Sequence, residues 1–264
     1  MGSASLLVLP WLNQQRRDRL KQRWSRRVLR ILSIRLEADF SAVSATEPGC
    51  LVLANHISWL DVFVINAVLP VSFIAKAEVR TWPLIGLIAE KNDTVFLRRG
   101  SRGHAKTVNA QINARLSAGR DVAVFPEGTT TDGTHLLGFH AALLQPAVET
   151  NRSILPLALS YLDENSQITL AASFSGNITL MRCFLSIVSC RTLTVRLIAA
   201  PVLQTSGRNR RWLSQQAHAA IATMLGFPLP SMLPEKLFGL PDAAPSANDP
   251  TSSRNQSPAG WAES

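Results

Sequence analysis

The stretch "CLVLANHISWLDVFVINAVL", residues 50–69, decides the fold. It opens on the short apolar run "CLVLAN" (50–55), which stops at a polar break and reads as a buried strand. Its second half, "WLDVFVINAVL" (59–69), reads as a helix that Pro70 ends. Strand, turn and helix in that order open a βαβ unit, which builds parallel sheet. The polar residues at the turn, Asn55, His56, Ser58 and Asp61, suit neither a core nor an ordinary solvated loop.

The same alternation continues outward. Strands are expected at "VSFIAK" (71–76), "DTVFLRR" (93–99), "DVAVFPEG" (121–128), "SILPLALSY" (153–161), "ITLAASF" (168–174) and "TLTVRLIAAPV" (192–202). A turn followed by a short helix is expected at 81–90, and helices at 104–119 with Gly119 closing the helix, at 140–150 with Pro146 starting a new segment, at 178–189, and at 210–226. This spacing predicts a single α/β domain over residues 37–240, with a largely parallel central sheet and helices on both faces. The tail from 241 to 264 lacks periodic apolar residues and is expected to be disordered.

Residues 1–36 read differently. Leu20, Trp24, Val28, Ile31 and Leu32 recur at three- and four-residue steps, so 13–36 is expected to be an amphipathic helix. Nine basic residues lie between Arg16 and Arg35 against one acid, Asp18, which accounts for nearly all of the net charge of +9. Such a face suits an anionic membrane surface, where each Lys or Arg contributes about 1 kcal/mol. The other reading is a helix packed on the domain with its basic face solvated. No nucleic-acid-binding motif accompanies the charge, so nucleic acid is not an expected partner. No run approaches about 18 uninterrupted apolar residues, and "MGSASLLVLPWL" has no positive charge before its apolar stretch. The expectation is a peripheral or monotopic protein on the cytoplasmic face of the cell membrane. Cys50, Cys183 and Cys190 form no CxxC pair, in keeping with a reduced compartment.

His56 and Asp61 carry the chemistry. Five residues of continuous helix rotate about 500° and rise about 7.5 Å, which would keep the two side chains apart. A turn between strand and helix brings them together. Asp61 then accepts from one imidazole nitrogen and leaves the other as a base. Ser58, at the start of the helix, reads as a cap rather than a nucleophile. Three further strands end in polar residues: Lys76 closes "SFIAK", Arg98 and Arg99 close "VFLRR", and Glu127 with Gly128, Thr129 and Thr130 follows Phe125 and Pro126. Ligands of open α/β sheets bind at the carboxyl ends of strands, so these residues describe a site for an acidic substrate.

In order, "NHISWLD", "FIAKAEVRTWPLIG", "VFLRRGS", "FPEGTTTDG" and "ILPLAL" resemble the blocks of the glycerolipid acyltransferase family, the one that includes lysophosphatidic acid acyltransferase. The resemblance runs from about Trp24 to Pro201. It implies that His56 is the general base and Asp61 its orienting partner. It implies that Arg99, Glu127 and Gly128 bind the acceptor, with Lys76, Thr129 and Thr130 beside them, and that Leu155 and Pro156 belong to the acyl-donor pocket. The implied reaction moves an acyl chain from acyl-CoA or acyl-carrier protein to a lysolipid hydroxyl, with neither cofactor nor metal. The expected acceptor is 1-acylglycerol-3-phosphate. Members that make phosphatidic acid commonly carry FPEGTR, and here Thr130 stands where the Arg would be. Arg98, Arg99 or Lys76 replaces that cation, or the acceptor is lyso-ornithine lipid, whose enzymes "FPEGTTTDG" and "KAEVRTWPLIG" also resemble. A third reading is a lipid-binding membrane-surface protein without catalysis. Backbone N–H groups near 56–61 are the expected oxyanion donors.

Overall fold

The computed structural model describes residues 13–43, 47–76, 94–97 and 102–228. Among the described residues seven strands form one sheet: β1 (Ile34–Asp39), β2 (Leu51–Ala54), β3 (Ser72–Lys76), β4 (Val95–Leu97), β5 (Val122–Val124), β6 (Ile154–Leu162) and β7 (Leu193–Ala199). Their spatial order is β1-β7-β6-β2-β5-β3-β4. All neighbours are parallel except β6 and β7, so β1 and β7 run against the other five. The largely parallel α/β sheet is as the alternation of elements predicts.

Period-two alternation divides the core in two. Val52, Ala54, Ala123, Leu155 and Leu157 face one side, and Leu51, Leu53, Val122, Val124 and Ile154 face the other. The first side is covered by α1 (Gln14–Ile31), α2 (Asp61–Val68) and α5 (Leu180–Ser189). The second is covered by α3 (Arg102–Ser117), by Ala141–Leu144 leading into α4 (Gln145–Glu149), and by α6 (Arg210–Leu225). Strands buried on both faces read as continuous apolar runs, which is why 50–55 shows no alternation. Pro146 sits in the first turn of α4, where its missing N–H costs nothing, and it splits the helix expected over 140–150 into two pieces.

Two expected elements differ. "ITLAASF" forms no strand, although β2 pairs only with Ile154–Leu157 and so leaves the far end of β6 clear on that side. It touches β6 only through an isolated bridge between Leu162 and Ile168. The helix expected over 13–36 ends at Ile31, and Ser33 takes a positive φ of 55°. The chain then enters β1 at Ile34, so the boundary expected at 36/37 falls inside a strand of the sheet.

Helix α1 lies on α2 through the Trp24 ring, 5.2 Å from that of Phe63, and through polar side chains. Gln22 Nε2 donates to Val68 O at 2.9 Å and Arg26 Nε donates to Ala67 O at 2.8 Å. These carbonyls end α2 and lack partners within it, and a cation there also meets the negative end of the helix dipole. Lys21, Ser25 and Leu29 form the buried side of α1, while Arg16, Arg19, Arg23, Arg27 and Arg30 are exposed along the other. The packed reading thus accounts for one face of α1, and the other keeps its charge in solvent. Among the described residues no helix is long and apolar enough to cross a membrane. The tail 241–264 lies outside the described residues.

Candidate active site

Strands β2 and β5 are neighbours, yet the chain leaves them toward opposite faces. After β2 it forms α2 on one face, and after β5 it forms Ala141–Leu144 and α4 on the other. The carboxyl ends of two such strands leave a crevice where open α/β sheets bind ligands. His56 stands two residues beyond β2 and Glu127 three beyond β5.

Residues 55–58 of the loop after β2 are each held by hydrogen bonds. Asn55 extends the ladder with its side chain: Nδ2 donates to Leu159 O at 2.9 Å and Oδ1 accepts from Leu159 N at 2.7 Å. An amide carries one donor and one acceptor group, so it can stand in for a backbone pair. His56 N donates to Glu127 Oε1 at 2.8 Å, and His56 O accepts from Thr131 N at 2.8 Å. Ile57 O accepts from Phe174 N at 2.9 Å.

Asp61 is fully buried and gathers four donors. Oδ2 accepts from His56 Nδ1 at 2.8 Å, Ile57 N at 2.8 Å and Ser58 N at 2.9 Å, while Oδ1 accepts from Tyr161 Oη at 2.8 Å. The turn therefore does what the sequence requires, and Asp61 itself stabilises it. Because Oδ2 serves two backbone N–H groups, it meets the imidazole as an acceptor. The ring proton then sits on Nδ1 and the lone pair on Nε2. Phe125 stacks on the imidazole at 3.9 Å and 7° and holds its plane. The side chain of His56 is 21% exposed, so a reactant can reach it.

Ser58 is completely buried, and the helix start at Leu60 has no side-chain cap. Neither a nucleophile nor the expected cap is found at Ser58, because Asp61 ties down the turn instead. The backbone N–H groups of His56, Ile57 and Ser58 are committed to Glu127 and Asp61, so none of the three is free for an oxyanion.

Glu127, expected among the acceptor ligands, is placed otherwise. It is buried, with Oε1 on His56 N and Oε2 on Leu137 N at 2.9 Å. Burial pushes its pKa up to about 7, against the two N–H bonds and with the help of the Asp61 charge. Both oxygens are used to brace the His56 loop against the segment at Leu137. Gly128 turns the chain with φ of 70°, and a Cβ there would meet the His140 ring at 3.1 Å. The Thr130 hydroxyl donates to Phe174 O, which ties the same segment that holds Ile57. Thr129 is exposed. Lys76 ends β3 at the same edge of the sheet. Arg98 and Arg99 lie outside the described residues.

Tyr161 is the residue that sequence reasoning missed. It is the only tyrosine of the chain and stands on β6, 100 residues from Asp61. Burial and the neighbouring Asp61 charge raise its pKa well above 10, so its hydroxyl stays a donor. A single tyrosine inside an apolar strand was the available signal, since a buried phenol needs a partner.

A histidine held by a buried carboxylate at the crevice of an open α/β sheet, with no nucleophile beside it among the described residues, suits one class of enzyme. Such an enzyme activates a hydroxyl that the substrate brings. Residues 35–160 match the acyltransferase family model. The chain is 40% identical over 181 residues to the 1-acyl-sn-glycerol-3-phosphate acyltransferase of Neisseria meningitidis, covering 69% of this chain and 70% of that one. It is 34% identical over 209 residues to the lyso-ornithine lipid O-acyltransferase of Pseudomonas aeruginosa, covering 79% of each. The crystal structure of the 1-acyl-sn-glycerophosphate acyltransferase PlsC from Thermotoga maritima shares the fold, with a TM-score of 0.64, 20% identity, and coverage of 84% of this chain and 86% of that one. The chain belongs to the acyltransferase family and is an enzyme of that class.

Proposed function

We propose that this enzyme transfers a fatty acyl chain from the thioester of acyl-CoA or acyl-carrier protein to the hydroxyl of a lysolipid. The observation that carries the reading is the His56–Asp61 pair, held by four hydrogen bonds on Asp61. Nε2 of His56 takes the hydroxyl proton as the oxygen attacks the thioester carbonyl. The tetrahedral oxyanion collapses, the C–S bond breaks, and the imidazolium returns the proton to the leaving sulfur. The thioester is already activated, so no acyl-enzyme is required. A protein that only binds lipid has no use for such a base.

The acceptor we favour is 1-acylglycerol-3-phosphate, giving phosphatidic acid, in line with the relative at 40% identity. Lys76 and Arg99 are the cations proposed for its phosphate, with Thr129 beside them. A specific observation supports the second reading, lyso-ornithine lipid. Thr130, in the place of the family's arginine, spends its hydroxyl on Phe174 O, and the relative that acts on lyso-ornithine lipid matches over more of the chain. Offering both lysolipids in parallel, once with acyl-CoA and once with acyl-carrier protein as donor, and following the product by mass spectrometry, decides between them. Acylation of neither, with either donor, would sink the proposal.

A further inference from the structure

Helix α5 carries an apolar stripe that the described residues leave uncovered. Met181, Phe184, Leu185 and Val188 recur at helical spacing and are 65, 40, 55 and 54% exposed. Cys183 and Ile187, on the opposite side, are buried and seat the helix on the sheet. Contiguous exposed apolar surface of this kind marks an interaction site.

Charge identifies the occupant. Arg182 and Arg191 flank the stripe, both exposed, and the sequence contains no acidic residue between Glu164 and Glu235. Helix α1 covers the same face of the sheet and exposes Arg16, Arg19, Arg23, Arg27 and Arg30. An apolar stripe rimmed by cations matches a bilayer containing anionic lipid. A second copy docking by two-fold symmetry would set these like charges against each other.

The helix is also tied to the base. Cys183 Sγ donates to Ala172 O at 3.5 Å, and Phe174, two residues on, holds Ile57 beside His56. We propose that α5 is the element that seats this enzyme in an anionic bilayer, with Met181, Phe184, Leu185 and Val188 entering the interface and the arginines of α1 meeting the headgroups. This inference rests on the lysolipid reading for its purpose, but its test does not.

The test is co-sedimentation of the full chain with phosphatidylcholine–phosphatidylglycerol vesicles, comparing the parent with Leu185→Asp and Leu185→Met. Leu185 is exposed, so both variants should fold. Leu185→Asp should lower the partition coefficient about tenfold or more, while Leu185→Met binds as the parent does. Acylation of detergent-dispersed lysolipid by Leu185→Asp should equal the parental rate. Unchanged vesicle binding by Leu185→Asp overturns the proposal. So does a parental dimer in sedimentation velocity that Leu185→Asp dissociates with vesicle binding intact. A parent that binds vesicles through Leu185 but acylates nothing in detergent counts against the lysolipid reading alone.

Discussion

Within the "NHISWLD" block, Asp61 holds both the imidazole of His56 and the backbone N–H groups of Ile57 and Ser58, and His56 is the residue proposed to react. His56→Ala should lower the turnover rate about 10²–10⁴-fold with the far-ultraviolet circular dichroism unchanged. Tyr161→Phe removes one donor from a buried carboxylate. It should cost about 1–3 kcal/mol in urea unfolding and also reduce turnover, because Asp61 Oδ1 is left unpaired beside the base. Asn55→Ala strands both backbone groups of Leu159, at about 1–3 kcal/mol each. The His56–Asp61 pair was legible from the sequence because both members lie within five residues. Tyr161 was not, since a parallel sheet brings it to Asp61 from 100 residues away.

Between elements, Glu127 joins the end of β5 to the loop after β2 and to Leu137. Its carboxyl titrates near 4.5 when unfolded and at about 7 when folded, chiefly because it is buried. Between those values the folded chain holds the proton that the unfolded chain has lost. Its contribution to stability is therefore greatest at low pH, falls as pH rises from about 4.5, and levels off above about 7. Urea midpoints measured across this range should show the parent losing stability relative to Glu127→Gln as pH increases. A flat difference would mean that Glu127 is not titrating there. The role of Glu127 could be mistaken from the sequence because a strand-end carboxylate beside glycine looks the same whether it meets a substrate or a backbone. The N–H groups it accepts from belong to other loops. Ser58 misleads for a similar reason, since Asp61, three residues on, fills the place of the cap.

Across the whole molecule, α1 and β1 join the N-terminal segment to the sheet. Removing residues 1–31 should leave the sheet folded, expose Ala67 O and Val68 O, and weaken binding to anionic vesicles in a salt-dependent way. Removing residues 1–36 takes half of β1 with it and should lower the melting temperature further, which differential scanning fluorimetry would show. The sequence by itself determined the α/β class, the strand before His56, the helix after it, and the pairing of His56 with Asp61. Those follow from local pattern: apolar runs, a polar break, and residues five apart. It also marked the basic helix and the apolar residues Trp24, Val28 and Leu32 that pack, but not the buried Lys21 and Ser25, because polar residues that face another helix look like polar residues in water. Only the tertiary structure decided that β6 lies between β2 and β7, which places Tyr161 under Asp61. It also decided that the oxygens of Glu127 are spent on backbone and that the apolar side of α5 is divided between core and surface. These outcomes depend on which strands become neighbours. That is a property of the whole sheet, set by how all the elements bury their faces together, and no local window of sequence contains it.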